Sequence, residues 1–548
     1  MRKSSFASIF ALGLAALAGT PAVALVDQPV ARAPAGAVRG VEADGLRVFK
    51  GIPYAAAPTG ALRWKPPAQA PAWSGVRDAR DFGPACWQPK PRAGSIYASP
   101  LKAFSEDCLS LNVWAPDAAK KAPVLVWIHG GSLIVGSSGE GLYDGAGLAR
   151  QGVVVVSINY RLGVLGYLAH PELSAESPDR VSGNYGLLDQ IAALKWVQRN
   201  IAAFGGDPAN VTIAGESAGG LSVMYLMASP AARGLFHKAI AQSAYMISTP
   251  QLREPRFGHV PAEAMGAATA AKLGAKSLAD LRAMDAETLA TSALMAGFQT
   301  FGAVDGKILP KQLVDTFDAG EQAPVPILAG FNSGEIRSLR ILAPPPPASA
   351  AAYETEIRAR YGELADDFLK LYPSDDVAES VLLAPRDALY GWTAERLVAK
   401  QTRLGASGYL YYFDHGYPAA DAAGLHGFHA AELPYVFGTS ASVPPAWPKI
   451  PDTPDEAALS ATMIGYWTSF ARDGVPRAKG APDWKPYGTE RAYMTFAQGA
   501  QPGTRPRPGM YELNEAVMCR RRAQGDLSWN WNVGVVSPPL PSGVSSCR

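Results

Sequence analysis

The chain has 548 residues, of which 48% are hydrophobic and 18% are charged, with 50 basic and 48 acidic side chains. This composition argues against a disordered chain and predicts an ordered protein with a large buried core. The charges nearly balance and form no basic run, which argues against a nucleic-acid partner, because such partners need a clustered basic face.

The first 24 residues have the form of a secretory signal. Two basic residues precede an apolar run over residues 6–18, and the sequence AVA at 22–24 provides a small-residue cleavage site. The apolar run is too short to span a bilayer comfortably, which argues against stable membrane insertion. We predict a signal peptide over residues 1–24 and a single domain over residues 25–548, located in the periplasm or secreted.

Four cysteines remain after export: Cys86, Cys108, Cys519 and Cys547. An even number in an oxidising compartment predicts disulfides, and of the three connectivities the sequential pairing is the simplest. No pair has the close spacing of a metal site and no histidine cluster lies beside them, so no metal is expected.

The elements expected along the chain alternate between strand and helix. Residues 36–55 predict short strands, the proline-rich residues 57–73 predict extended surface chain, and residues 185–208 predict a helix with a glycine stop. Near-continuous apolar runs predict buried strands at residues 122–131, 152–163, 211–215, 325–335 and 408–416. This alternation predicts a doubly wound, mostly parallel sheet with helices on both faces.

Two later segments are expected to lack regular structure. Residues 343–350 contain four consecutive prolines, which exclude helix and strand. The C-terminal residues 538–548 are expected to be a tail held mainly by Cys547.

The sequence Gly215-Glu216-Ser217-Ala218-Gly219 has the G-x-S-x-G form of a nucleophile elbow. In that turn a strand passes sharply into a helix, and the flanking glycines leave room for the backbone. A serine hydroxyl needs a base to become a good nucleophile, so the assignment depends on partners elsewhere in the chain.

Hydrolases with this elbow have the order serine, acid, histidine along the chain. Three histidines lie far enough beyond Ser217 for an acid to intervene, and the residues alone leave all three open: His415, His426 and His429. Glu335 is the candidate acid, because it follows the predicted strand 325–335 at the sheet edge where catalytic groups gather. We expect the base to have a pKa near the ordinary imidazole value of about 6.5.

A further requirement is a set of backbone N–H donors for the oxyanion that forms during attack. The loop HGGSL at residues 129–133 follows a predicted strand, as the oxyanion loop of esterases and lipases does, and the N–H of Ala218 adds a donor beside the nucleophile.

The chain resembles the type-B carboxylesterases, the family of bacterial p-nitrobenzyl esterases, animal carboxylesterases and cholinesterases. The resemblance covers roughly residues 35–500 through blocks in the family's order, among them FKGIPYAAAPTGALRW, SEDCLSLNVWAP, NYRLGVLGYL, GESAGG and FHAAELPYVFG. It implies an α/β-hydrolase fold and a disulfide between Cys86 and Cys108. The site residues that it implies are the nucleophile Ser217, the acid Glu335, the base His429 and the oxyanion amides of Gly131, Ser132 and Ala218.

Two positions depart from the family pattern. The acid segment reads GEI where DEG is usual, and Ser132-Leu133 stands where glycine or alanine and then an aromatic residue are usual. The second departure changes the side chains at the pocket mouth but leaves the main-chain donors in place.

These observations together predict an exported serine esterase that hydrolyses small-molecule carboxylic esters through an acyl-enzyme, without a cofactor. The alternatives are a lipase acting on lipid surfaces and a non-catalytic binding or adhesion protein on the same scaffold. The physiological substrate and the oligomeric state are not determined by the sequence.

Overall fold

The structure is a computed structural model that describes residues 28–92, 94–530, 532–541 and 547. The predicted signal peptide lies outside these residues. The strands are β1 Val30–Ala33, β2 Gly36–Arg39, β3 Val41–Ala43, β4 Leu46–Pro53, β5 Val76–Asp78, β6 Ala85–Cys86, β7 Phe104–Ser105, β8 Ser110–Pro116, β9 Ala122–Ile128, β10 Val154–Ile158, β11 Gly206–Glu216, β12 Lys238–Gln242, β13 Ile327–Asn332, β14 Gly408–Phe413, β15 Ala492–Phe496 and β16 Ala500–Thr504.

Helices follow most of the central strands. They are α1 Ala146–Ala149, α2 Gly163–Tyr167, α3 Pro171–Glu176, α4 Tyr185–Asn200, α5 Ala218–Ala228, α6 Ala262–Lys272, α7 Leu278–Ala283, α8 Ala286–Met295, α9 Leu313–Asp318, α10 Glu335–Ser338, α11 Ala350–Tyr361, α12 Ala365–Leu371, α13 Val377–Arg386, α14 Trp392–Arg403, α15 Pro418–Ala422, α16 Leu433–Phe437, α17 Pro454–Asp473 and α18 Met510–Gln524.

The main sheet has eleven strands in the order β16-β15-β14-β13-β12-β11-β9-β10-β8-β4-β3. The run from β15 to β10 is parallel throughout, whereas the pairings at both edges are antiparallel. The predicted doubly wound, mostly parallel sheet is therefore confirmed, with antiparallel strands added outside a parallel centre.

The central strands are apolar along their whole length because both faces of the sheet are covered. In β9, Val124, Val126 and Ile128 pack into the core beneath α4 and α5, while Leu125 and Trp127 pack into the core beneath α16 and α17. Alternate residues of a strand point to opposite faces, so a sheet covered on both sides selects a continuous apolar run.

One expectation about irregular segments is wrong, and another is incomplete. The proline-rich segment 57–73 is not all surface chain: Trp64 is 2% exposed, and its indole N–H donates to the carbonyl of Val164 at 2.8 Å. The C-terminal tail is held by more than Cys547, since Leu540 N donates to the carbonyl of Arg360 at 2.8 Å and Arg521 donates to the carbonyl of Pro538 at 3.1 Å.

The parallel centre brings several chain segments to one edge of the sheet. Strands β9, β11, β13 and β14 all point their carboxyl ends to the same side, so the loops that follow them meet there. Ligands of open α/β sheets bind at this edge. Among the helices of the described ranges, none combines the length and apolar character needed to cross a membrane.

Candidate active site

Ser217 stands at the turn between β11 and α5, where its φ is 56° and its ψ is −120°. A non-glycine residue in this region stores strain of order 1–3 kcal/mol and is kept there only by its surroundings. A Cβ on Gly219 would lie 2.0 Å from the carbonyl oxygen of Ile128, and one on Gly215 would lie 2.5 Å from the carbonyl carbon of Gly219. The glycines of the motif are therefore required by close backbone contacts around the serine.

The predicted acid and base meet beyond the ends of β13 and β14. The loop of Gly334 pairs with the loop of Phe428, and Gly334 N donates to the carbonyl of Gly427 at 2.7 Å. This pairing brings Nδ1 of His429 within 2.5 Å of Oε2 of Glu335. The other carboxylate oxygen of Glu335 accepts from the backbone N–H of Asn332 at 2.8 Å, which orients the acid.

A second carboxylate lies on the opposite side of the imidazole. Nε2 of His429 is 3.1 Å from Oε1 of Glu216, the residue before the serine. Oε1 has no hydrogen-bond partner among the described residues, so the contact is a close electrostatic one rather than an aligned hydrogen bond. Ser217 Oγ forms no hydrogen bond with the ring in the described structure, although both side chains line the same cavity.

A third buried glutamate completes the acidic cluster. Glu432 accepts from Nδ2 of Asn332 at 2.6 Å and from Nε2 of Gln242 at 2.9 Å. Sequence reasoning did not assign Glu432 or Glu216 a role. The available signals were the position of Glu216 next to the serine and the spacing of Glu432 three residues after His429.

The electrostatics of the cluster favour a protonated imidazole. Burial acts to lower the pKa of His429, but the carboxylates of Glu216 and Glu335 outweigh burial and raise that pKa to about 9. Burial raises the pKa of Glu216 to about 8, although the positive charge of His429 acts to lower it. The pKa of His429, the predicted base, therefore lies above the ordinary imidazole value expected from the sequence.

The loop after β9 lies against the elbow, as expected for an oxyanion loop. A Cβ on Gly130 would lie 2.9 Å from the carbonyl oxygen of Glu216, so the two turns are in close contact. Gly131 has a φ of 100° and Ser132 a φ of 57°, and their amides donate no hydrogen bond within the described part of the chain. Ala218 is the first residue of α5, where an N–H has no acceptor within the helix.

The site opens into a cavity of about 990 Å³. Ser217, His429, Gly131, Tyr390 and Tyr97 all line it. The other charged residues that line it are Lys90, Arg92, Glu140 and Glu216. A volume at the upper end of the range for small-molecule sites admits an organic substrate of considerable size.

The remaining candidate histidines have other partners. Nε2 of His415 is 2.9 Å from Oε2 of Glu456, and Nδ1 of His426 is 2.7 Å from Oδ1 of Asp421. Neither histidine lines the cavity. Of the three histidines left open by chain order, His429 alone lies beside both Glu335 and the elbow.

The four cysteines form two disulfides, Cys86–Cys108 and Cys519–Cys547. The simplest of the three connectivities is thus the one in the structure. The first disulfide closes the loop that contributes Lys90 and Arg92 to the cavity, and the second joins α18 to the C-terminal residues.

Comparison with known proteins supplies the family. The carboxylesterase family model matches residues 27–508. The chain is 37% identical over 519 residues to the fumonisin B1 esterase of Sphingopyxis macrogoltabida, covering 91% of this chain and 92% of that protein. It is 38% identical over 468 residues to the para-nitrobenzyl esterase of Bacillus subtilis, covering 83% and 92%.

Comparison with solved structures supports the same family. A PNB esterase matches with a TM-score of 0.76 at 34% identity over 89% of this chain and 99% of that chain. A carboxylesterase of Geobacillus stearothermophilus matches with a TM-score of 0.69 at 33% identity over 90% and 99%. With this similarity over most of its length, the chain belongs to the carboxylesterase family and is a carboxylic ester hydrolase with the α/β-hydrolase fold.

Proposed function

We propose that the protein hydrolyses its esters through an acyl-enzyme on Ser217, with His429 as the base and Glu335 as the acid that orients the ring. The observation that carries the proposal is the 2.5 Å contact between His429 Nδ1 and Glu335 Oε2 beside a strained serine. A base held by an acid, lining the same cavity as the serine, fits the general arrangement of nucleophilic hydrolases.

In the first half of the reaction, Ser217 Oγ attacks the ester carbonyl carbon while Nε2 of His429 takes the hydroxyl proton. The resulting oxyanion accepts hydrogen bonds from the amides of Gly131, Ser132 and Ala218. Collapse of this intermediate breaks the bond to the alcohol oxygen, which leaves with the proton from His429. Water then attacks the acyl-enzyme by the same steps and releases the acid and the free serine.

The relatives favour this function over the two alternatives. The two relatives described above are named esterases, which does not favour a non-catalytic binding protein. A lipase acting on lipid surfaces would show a rise in rate as its substrate passes the solubility limit, and we expect none.

We also propose that the protein is exported. The N-terminal residues have the form of a signal peptide, and two disulfides suit an oxidising compartment. Sequencing the N-terminus of protein purified from the periplasm and the medium tests this, with Leu25 as the expected first residue. Full-length protein retained in the cytoplasm would contradict it.

Substitution of the serine tests the mechanism. Ser217→Ala is expected to fold normally and to lose on the order of 10⁴-fold of ester hydrolysis, as triad nucleophile variants do. Ser95→Ala, which removes another hydroxyl that lines the cavity, is the matched control and should stay close to the parent. A fluorophosphonate probe should modify Ser217, and activity of the Ser217→Ala variant within tenfold of the parent would refute the assignment.

The substrate is best approached with a panel of esters that differ in acyl and alcohol parts. Aryl, alkyl and polyol esters of several chain lengths would be compared by kcat/KM. Fumonisin B1, named for one relative, belongs in this panel as a test of whether that activity extends to this chain.

A further inference from the structure

The mouth of the cavity is bordered by apolar side chains that are exposed to solvent. Leu294 is 43% exposed, Ile341 85%, Leu342 37% and Val536 47%. All four line the cavity that contains Ser217. Single exposed apolar residues are common on protein surfaces, but a set that borders one opening is a mark of a binding site. We call these four residues the apolar collar.

The collar is assembled from three separate parts of the chain. Leu294 lies near the end of α8, Ile341 and Leu342 lie in a 3₁₀ turn after α10, and Val536 ends a 3₁₀ turn near the C-terminus. Part-buried apolar residues that also line the cavity, Leu339 and Leu389 among them, continue the apolar lining inward.

The C-terminal part of the collar lies outside the residues that the family model matches, which end at 508. It is nevertheless held in place by its own contacts with the rest of the protein. The backbone N–H of Ser248 donates to Oδ1 of Asn530 at 3.1 Å. Asn530 and Val533 line the cavity together with Val536, so this segment forms part of the cavity wall.

Further contacts fix the turn itself. The hydroxyl of Tyr361 donates to Asn532, and the backbone N–H of Gly534 donates to that hydroxyl at 3.2 Å. Val533 N donates to Oγ of Ser537 at 2.9 Å. Because these buried polar groups are paired, Val536 is presented at the mouth by an ordered turn.

We propose that the apolar collar binds the far end of a long hydrocarbon chain of the ester substrate, an inference that rests on the proposed function of Ser217. A chain that begins at the scissile ester and fills the cavity ends at its mouth, where the collar offers apolar contact in place of water. Each methylene moved out of water multiplies affinity by roughly three- to fourfold, so the collar distinguishes long esters from short ones.

Point variants at the mouth test the proposal without disturbing the core. We expect Ile341→Asn and Val536→Asn each to lower kcat/KM for p-nitrophenyl decanoate by about three- to sixteenfold, as loss of one or two buried methylene contacts would. The value for p-nitrophenyl acetate should stay within about twofold, since a short chain does not reach the mouth. Decyl acetate, compared with ethyl acetate, shows whether the chain belongs to the alcohol or to the acyl side.

The chain offers controls matched in exposure. Met295 is 84% exposed, close to Ile341, and Val30 is 40% exposed, close to Val536, yet neither lines the cavity. Met295→Asn and Val30→Asn should leave kcat/KM unchanged for both p-nitrophenyl esters. Rates would be measured both below and above the solubility limit of each ester, and the expected losses refer to the rates below it.

Three results would overturn the proposal. One is an equal loss of kcat/KM for p-nitrophenyl acetate and p-nitrophenyl decanoate. Another is an equal loss of kcat/KM in the control variants. The third is a loss of rate seen only above the solubility limit of the ester, which would make the collar a contact for lipid aggregates. Hydrolysis of p-nitrophenyl acetate by the collar variants keeps this test separate from the test of the mechanism. If the Ser217 assignment is wrong, Ser217→Ala will retain activity with every ester, whatever its chain length.

Discussion

The contact between Glu216 and His429 predicts how activity depends on pH. With His429 as the proposed base, only its neutral imidazole can accept the serine proton, so we expect kcat/KM to rise with pH through the pKa of His429. Because neighbouring carboxylates raise that pKa, the ascending limb of the pH–activity profile should have its midpoint above the ordinary imidazole value of about 6.5. Replacing Glu216 by Gln removes one of these charges and should move the limb to lower pH.

The distance between the Glu216 carboxylate and the His429 ring sets the size of the pKa shift. Two unit charges 3.1 Å apart interact by about 5 kcal/mol at an effective dielectric constant of about 20, which corresponds to about four pKa units as an upper bound. The real shift is smaller because burial raises the pKa of Glu216 to about 8, so that this carboxylate carries its full charge only in part of the pH range. We expect Glu216→Gln to lower the midpoint by about one to three units.

The assay is a pH-stat measurement of ethyl acetate hydrolysis, from about pH 5 to about pH 10, which follows the ascending limb directly. Glu140→Gln is the control, since Glu140 is a carboxylate that lines the same cavity, bonds to Ser99 and Ser137, and does not contact His429. Its midpoint should stay that of the parent. A midpoint that is unchanged or higher in Glu216→Gln would refute the electrostatic argument.

Three other expectations follow from the geometry. His429→Ala should lose nearly as much activity as the serine variant and the double variant little more, because triad members act as a unit. The activity of His426→Ala should fall only modestly, and an inactive His426→Ala with an active His429→Ala would mean that His426 is the base. Gly219→Ala should lower the free energy of unfolding by about 1–3 kcal/mol or more in urea titration, since its Cβ has no room, and an unchanged midpoint would contradict that packing. Non-reducing peptide mapping should find Cys86 joined to Cys108, and free thiols at both positions would contradict both this disulfide and export.

Much of the fold could be predicted from local patterns. The apolar runs that became β9, β10, β11, β13 and β14 are recognisable because a strand covered on both faces admits almost no polar residue. The turn at Ser217 was predictable for a similar reason, since glycines in a fixed frame around a serine signal close backbone contacts. Glu335 could be placed at the sheet edge from its position just after a strand.

Predictions from patterns along the chain failed where contacts between residues distant in sequence determine the structure. Trp64 lies among prolines that suggest surface chain, yet it is buried against the segment of Val164, a hundred positions away. Residues alone also left three histidines open, and only the resemblance favoured one. The structure distinguishes them because the loop of Gly334 pairs with the loop of Phe428 and so brings His429 to the acid.

The sequence by itself determined the family, the parallel sheet, the elbow and a short set of candidate acids and bases, because these depend on periodicity and on local motifs. Only the tertiary structure decided the surroundings of the imidazole, where Glu216 and Glu335 lie on opposite sides of the ring and Glu432 lies close by. It likewise decided that Val536 borders the same cavity as Ile341. The physical reason is that charge interactions and apolar contacts depend on distance in space, which chain order does not contain.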